Sequence, residues 1–473
     1  MVYKINKYLN IYQWSFLLLT IISPLIVKCE SDPDEFVPPL IYIQSRGYTG
    51  ESHYITTDDG YILQVHRIIS PKYLNLPRKA ALLQHGLLLS GMVFIINSPG
   101  GGDYFHGPVE NHDPVNHYRS RHPEIGNNLG FLLADHGYDV WLANSRGNTY
   151  STNHTKLSPF QDKKYWEFSF DEMALYDLPA VISHIQYVTG QKEIAYIGHS
   201  QGTAIAFVLL SERPQYASIL KPVILLAPIM NISTTKDALK HVLTDEELMK
   251  DLLKVGGPLL PHASLLELFP EVVCATKLLY ICENVLQIMG GLNVAQLNVT
   301  RLPVYFSYIP AGTSAKNFVH YKQMVLKGAR YFDHGPEKNM AMYGKSEPPE
   351  FHFDRLDTSN MVMFWSENDL FCGAEEMDAV RRTLRRPPMA EYRIPDPLWS
   401  HMDFLFGRQA GRFVNGPILG ILKRYPISWL PGRGPQNHGS FSGHSNLPTP
   451  AHKPGQLINK PKYSRPYQPS LNG

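Results

Sequence analysis

Gly198-His199-Ser200-Gln201-Gly202 sits between the apolar run Ile194-Ala195-Tyr196-Ile197 and an apolar helical stretch from Thr203 to Leu210. Strand, sharp turn and helix, in that order, are the setting in which a Gly-x-Ser-x-Gly pentapeptide carries chemistry. Without a Cβ, Gly198 and Gly202 let strand and helix close on each other at the turn. The turn holds the Ser200 hydroxyl at a helix N-terminus, where the dipole favours developing negative charge. The stretch therefore predicts a serine nucleophile for covalent acyl transfer. Five residues match by chance on many glycine turns; the flanking strand and helix give this match its weight.

Outward from Ser200, strands alternate with helices. Tyr54-Ile55-Thr56-Thr57 and Tyr61-Ile62-Leu63-Gln64-Val65 flank Asp58-Asp59-Gly60, a hairpin signal. Ala80 to Gln84 is a buried-strand run ending at His85-Gly86, and Tyr138 to Leu142 is another, ending at Asn144-Ser145-Arg146-Gly147-Asn148. Leu129 to Ala134 and Asp171 to Val188 read as helices, and Val223 to Ala227, Met361 to Trp365 and the region of Tyr392-Arg393-Ile394 as further strands. Such alternation predicts an α/β fold with a mostly parallel central sheet covered on both faces.

Three stretches break the pattern. Gly100 to Gly126 is rich in Gly, His, Pro and Asp and reads as a solvated surface loop. Its His106, His112, His117 and His122 have no spacing that puts two on one helix face, so no metal site is expected there. From about Ile229 to Phe351 the strands stop. Thr244-Asp245-Glu246-Glu247 forms a capping box, and apolar helical segments follow through Leu266, Leu279 and Ile288. This predicts a helical cap, residues 229–351, inserted between core segments 30–228 and 352–424. After about Tyr425, Pro, Gly, Ser, Asn and His dominate, and the tail 425–473 is expected to be disordered.

A serine nucleophile needs a base and the base an orienting acid, in the chain order Ser, Asp or Glu, His. His438, His444 and His452 lie in the polar tail, which leaves His401, between Ser400 and Met402, as the base. Asp369 follows the strand Met361–Trp365 after a short turn and is taken as the acid, with Glu367 and Asp378 as its neighbouring competitors. The oxyanion requires two backbone donors: the N–H of Gln201, after the nucleophile, and that of Leu87, in the loop His85-Gly86-Leu87-Leu88.

Lys and Arg number 44 against 42 Asp and Glu, and no basic stripe interleaves with aromatics, which argues against nucleic-acid binding. Lys4 and Lys7 precede the apolar run Trp14 to Val27, a secretory signal with cleavage after Cys29. No later stretch is apolar and long enough to span a bilayer. The signal implies an oxidising compartment, where Cys274 and Cys282, close in one apolar segment, are the natural disulfide pair and Cys372 a buried thiol. Asn153, Asn231 and Asn298 head glycosylation sequons, which fit secretion or a lysosome-like destination. Nothing in the sequence sets an oligomeric state.

From about Pro39 to Phe413 the chain resembles the acid lipases, the family of gastric and lysosomal acid lipase, with insect digestive relatives. The resemblance lies in Thr57-Asp58-Asp59-Gly60-Tyr61-Ile62-Leu63, Gln84-His85-Gly86-Leu87-Leu88, Asn144-Ser145-Arg146-Gly147-Asn148-Thr149 and Phe168-Ser169-Phe170-Asp171-Glu172-Met173, as well as the Ser200 pentapeptide. It continues in Ile309-Pro310-Ala311-Gly312-Thr313-Ser314 and Asn368-Asp369-Leu370. It implies an α/β-hydrolase fold with a lidded cap, the triad Ser200, Asp369 and His401, and the oxyanion donors Leu87 and Gln201. It implies hydrolysis of neutral lipid esters, triacylglycerols or cholesteryl esters, at a lipid–water interface with no cofactor. The chain departs from the family in Ser400-His401-Met402-Asp403, where Asn-His-Leu-Asp is usual, in the long Gly100–Gly126 loop and in the polar tail. Two other readings stand: an esterase for small soluble esters, and a non-catalytic lipid-binding protein on a lipase scaffold. The latter is expected to lose a triad member, and all three are present.

Overall fold

The computed structural model describes residues 32–99, 126–234, 246–260, 293, 295–298 and 301–434. The leader 1–29, the Gly100–Gly126 loop up to residue 125, Cys274, Cys282, the Thr244-Asp245 helix start and the histidines of the tail lie outside them.

In chain order the strands are β1 (Thr49–Thr56), β2 (Tyr61–Ile69), β3 (Lys79–Gln84), β4 (Tyr138–Leu142), β5 (Asn153–His154), β6 (Ile194–His199) and β7 (Leu220–Leu226). A small pair follows, β8 (Pro258–Leu259) and β9 (Thr313–Ser314), and then β10 (Met361–Trp365) and β11 (Ala390–Arg393). The main sheet runs β1-β2-β4-β3-β6-β7-β10-β11, with β5 on β2. β1 and β2 form the antiparallel hairpin expected at Asp58-Asp59-Gly60, where Gly60 takes a φ of +100°. From β4 to β11 every pairing is parallel.

Side chains alternate across that sheet. Leu82, Tyr196, Leu225 and Met363 belong to the apolar core on one face, and Leu83, Ile197, Leu226 and Phe364 to the core on the other. Strands buried on both faces need continuous apolar runs, and this is why their sequences read so clearly. Helices α1 (Leu129–Asp135) and α7 (Gly416–Leu422) cover one face. On the other face lie α2 (Leu178–Thr189), α3 (Gln201–Glu212), α4 (Glu246–Val255), α5 (Ala315–Lys327) and α6 (Ala374–Thr383).

The chain leaves β3 toward β4 on one side and returns to β6 on the other. The sheet order thus reverses between β3 and β6, and a crevice opens at their carboxyl ends, the usual place for a ligand in such sheets. Ser200 and the His85–Leu88 loop emerge there together, because Gln84 pairs with Gly198 in register.

Two local features differ from expectation. The helix predicted over Asp171 to Val188 contains a wide turn at Met173–Asp177, where the Leu178 N–H bonds the Met173 carbonyl. Pro179 has no N–H to give Leu175, so an ordinary turn cannot close there. At the other end, ordered chain continues past Tyr425. The Lys192 N–H donates to Ser428 O at 2.7 Å, the Leu430 N–H donates to Gly190 O at 2.9 Å, and Trp429 pairs with Gln191.

Between β7 and β10 the described residues add no strand to the main sheet. Among the described residues no group of His, Cys, Asp and Glu is placed to hold a metal ion, and no helix is long and apolar enough to cross a membrane. Asn153 is exposed, Asn231 and Asn298 are half-buried, and Cys372 is a buried free thiol.

Candidate active site

Ser200 stands between the last residue of β6 and the first of α3, with φ 53° and ψ −118°. A non-glycine residue held there stores roughly 1–3 kcal/mol of strain, so the surroundings must enforce it. A Cβ on Gly202 would lie 2.5 Å from the Gln84 carbonyl oxygen, and one on Gly198 would lie 2.9 Å from the Gly202 backbone. Only glycine lets the elbow close this tightly against β3. The Ser200 carbonyl accepts from the Thr203 N–H at 2.8 Å and from the Thr203 hydroxyl at 2.6 Å. Since a peptide unit is planar, fixing that carbonyl also aims the Gln201 N–H in the opposite direction.

His401 comes from the loop after β11, and its Nε2 lies 2.8 Å from Ser200 Oγ. Its Nδ1 lies 3.0 and 2.9 Å from the two carboxylate oxygens of Asp369, in the loop after β10. The Phe371 and Cys372 N–H groups donate to Asp369 Oδ1 at 2.8 and 3.1 Å. Burial alone pushes the Asp369 carboxyl up, but the His401 ring and these two N–H groups outweigh it and hold the group below the usual carboxylate range. Glu367 is exposed and pairs with Arg393 at 2.6 Å, and Asp378 is exposed on α6 beside Arg381. Neither competitor reaches the histidine.

His199 is wholly buried, and its Nε2–H donates to the His401 carbonyl at 3.0 Å. Burial takes its pKa down to about 3, so the ring stays neutral and Nε2 keeps its proton. The Ser366 hydroxyl donates to Trp399 O at 2.9 Å, and the Ser400 N–H to Asp403 Oδ2 at 2.7 Å. The backbone on both sides of the histidine is thereby pinned.

On the opposite side, a Cβ on Gly86 would lie 2.9 Å from Ser200 Cβ, so the loop after β3 is pressed onto the elbow. The Leu87 and Gln201 N–H groups have no hydrogen-bond partner among the described residues. His85 braces this loop: its Nδ1–H donates to Gly86 O at 2.7 Å, and its Nε2 accepts the Ser145 N–H at 3.0 Å. Behind Ser145, the fully buried Arg146 binds Asp177 at 2.7 Å and Asp59 at 2.6 Å and lies 3.9 Å over the Tyr61 ring. These links give physical content to the Asn144–Thr149 and Asp58–Leu63 motifs.

The structure also places polar groups that sequence reasoning missed. The Ala311 N–H donates to Leu88 O at 2.6 Å. Gln201 Oε1 accepts from Asn317 Nδ2 at 2.8 Å and from the Tyr321 hydroxyl at 3.2 Å, both on α5. The only signal for them was the Ile309–Ser314 motif just upstream.

A central mostly parallel sheet with a strained serine elbow, a histidine and a buried aspartate at its carboxyl edge defines an α/β hydrolase. Residues 104–254 match the model of the alpha/beta hydrolase fold, and residues 41–98 match that of the partial alpha/beta-hydrolase lipase region. Lipase member K of Mus musculus is 35% identical over 383 residues, 80% of this chain and 88% of that protein. Gastric triacylglycerol lipase of Bos taurus is 35% identical over 403 residues, 84% of this chain and 93% of that protein. Lipase member M of Mus musculus is 34% identical over 404 residues, 84% and 88% of the two chains. The chain belongs to the acid lipase family of carboxylic ester hydrolases, the group of gastric and lysosomal-type lipases.

Proposed function

We propose that this protein hydrolyses neutral lipid esters through an acyl-enzyme on Ser200. The observation that carries the reading is the unbroken line from Ser200 Oγ through His401 to the buried Asp369 carboxylate, 2.8 Å and then 2.9 Å. Ser200 Oγ attacks the ester carbonyl carbon while His401 Nε2 takes its proton. Asp369 keeps the other ring proton on Nδ1 and stabilises the imidazolium. The Leu87 and Gln201 N–H groups receive the oxyanion. His401 then protonates the leaving alcohol. It next takes a proton from water, whose oxygen attacks the acyl carbon, and returns that proton to Ser200 Oγ as the acyl bond breaks and the fatty acid leaves.

Kinship with a gastric triacylglycerol lipase points to triacylglycerols as substrate, and cholesteryl esters are the alternative that the family resemblance implies. Residues 229–351 are read as the cap over the site and residues 1–29 as a secretory leader. Asn153, Asn231 and Asn298 are read as glycosylation sites on that route, and Cys274 and Cys282 as a disulfide. The test is an ester panel, emulsified and soluble, with the Ser200→Ala variant beside the wild type. Turnover of emulsified long-chain ester is expected to exceed that of soluble short-chain ester. Ser200→Ala is expected to lose on the order of 10⁶-fold in kcat with its melting temperature kept. Preference for soluble esters would make it an esterase; no labelling by a serine-directed probe would make it a binding protein.

A further inference from the structure

We propose that Asn317, on α5, is a positioning residue for the oxyanion donors, acting through the side chain of Gln201. The proposal rests on the reading of the Gln201 N–H as an oxyanion donor.

Asn317 is wholly buried, and both ends of its amide are engaged. Its Oδ1 accepts the Phe170 N–H at 2.9 Å, and its Nδ2 donates to Thr313 Oγ1 at 3.0 Å and to Gln201 Oε1 at 2.8 Å. Its own N–H donates to Ser314 Oγ at 3.0 Å. The amide therefore has one orientation, and its free direction is spent on Gln201.

Gln201 is as fully held. Its Oε1 takes two donors, Asn317 and Tyr321, and its Nε2 donates to Met173 Sδ at 3.4 Å. A long side chain in the first turn of a helix ordinarily points to solvent; this one is 2% exposed. Clamping it at its far end leaves the Gln201 Cα little freedom to rotate, and the N–H direction follows the Cα. A satisfied buried polar network of this kind rigidifies what it holds. Thr203 fixes the same peptide unit from the Ser200 carbonyl, so the unit is gripped on both sides.

The same segment also holds the other donor loop. Ala311, six residues before Asn317, donates to Leu88 O at 2.6 Å, next to Leu87. The stretch 311–321 thus touches both halves of the oxyanion site while leaving the Asp369–His401–Ser200 line to other loops. An effect of Asn317 should then fall on stabilisation of the tetrahedral state, not on ester binding.

Three variants test this: Asn317→Leu, Gln201→Met (which keeps the backbone N–H) and their double. Each is assayed for kcat and KM on a soluble ester and for affinity to an alkyl boronic acid, which forms a tetrahedral adduct on a nucleophilic serine. Losing an oxyanion donor costs about 10²–10³ in turnover, so misaiming one is expected to lower kcat by about 10- to 100-fold. KM should stay within about threefold, and boronic acid affinity should fall in parallel with kcat. The double variant should fall no further than the worse single, because both act through one link. Losses that multiply in the double would overturn the proposal. If Asn317→Leu does not fold, Gln201→Met alone decides: kcat and boronic acid affinity within twofold of wild type would overturn it. Retained turnover in Ser200→Ala would instead bring down the reading on which this rests.

Discussion

His199 and Gln201 flank the same serine, yet they tie it to different parts of the chain. His199 reaches the His401 carbonyl, in a loop that leaves the main sheet after β11. Gln201 reaches Asn317 and Tyr321, on α5, which lies between β7 and β10 and packs on one face of the sheet. The base side is assembled by the exits of adjacent parallel strands, and the oxyanion side borrows its support from the helix α5 between β7 and β10. A shift of α5 should therefore disturb charge stabilisation while leaving proton transfer intact. The two sides can be attacked separately.

The largest effect is expected on the base side. Asp369→Asn keeps the shape of the site but offers an amide to His401 Nδ1 and so favours the wrong tautomer. A kcat loss of about 10⁴-fold with little change in KM is expected. Steady-state kinetics that place the variant within tenfold of wild type would remove Asp369 from its role and reopen the search for an acid. On the oxyanion side, Gly86→Ala puts a methyl 2.9 Å from Ser200 Cβ, and neither atom is the flexible end of a side chain. The loop must back away, and a loss of about 10²-fold in kcat is expected. A crystal structure of the variant should have Leu87 displaced and the His401–Ser200 contact kept; movement of His401 instead would mean that the two sides are not separable.

A smaller effect is expected from the strut between the sides. His199→Phe removes the donor to the His401 carbonyl, and a loss of about tenfold in kcat is expected, on the scale of one hydrogen bond. Because burial keeps His199 neutral down to about pH 3, this loss should be equal at pH 5 and pH 8. His199→Gln, whose amide can donate, should recover part of it. A loss that grows steeply toward acid would mean that His199 titrates in the working range, against its burial.

Much of the base side was legible in the sequence. Ser200 announced itself by its glycines and flanks, His401 by elimination, and Asp369 by its distance past a clear strand. Such residues are constrained by type and by chain order, and both are one-dimensional properties. The oxyanion side was legible only where it follows a main-sheet strand, at Gly86 and Leu87 after β3 and at Gln201 after β6. Asn317 and Tyr321 carry no pattern of their own: an asparagine and a tyrosine on a helix are ordinary until tertiary packing shows what they face. The wide turn at Met173–Asp177 follows from Pro179, two residues beyond it, which the apolar periodicity of the helix does not register, and the pairing of Asp177 there with the buried Arg146 is long-range. The ordered Ser428–Leu430 segment was hidden by the proline-rich composition around it, since pairing of its backbone needs few apolar side chains.

The smallest effect should come from Asp403, beside the base. It is wholly buried, and its Oδ2 accepts the Ser400 N–H at 2.7 Å. Burial pushes its carboxyl from 3.8 up to about 7, against the N–H groups of Ser400 and Asn293, and Asp396 adds to the rise. A carboxyl whose folded pKa lies above its unfolded value binds its proton more tightly in the native state. Its contribution to stability is complete below about pH 4 and is lost as pH rises through about 7. Asp403→Asn keeps the acceptor for Ser400 and cannot ionise. Neutral histidines such as His85 and His199 tilt stability the other way in acid, but they are common to both proteins and cancel in the difference. The variant should therefore melt with the wild type at pH 4 and a few degrees above it, roughly 2–4 °C, at pH 8 to 9. Scanning calorimetry across that range reads the gap directly. An equal gap at both ends would mean that Asp403 is already ionised in the folded acid form, and that the base side is held by a carboxylate throughout.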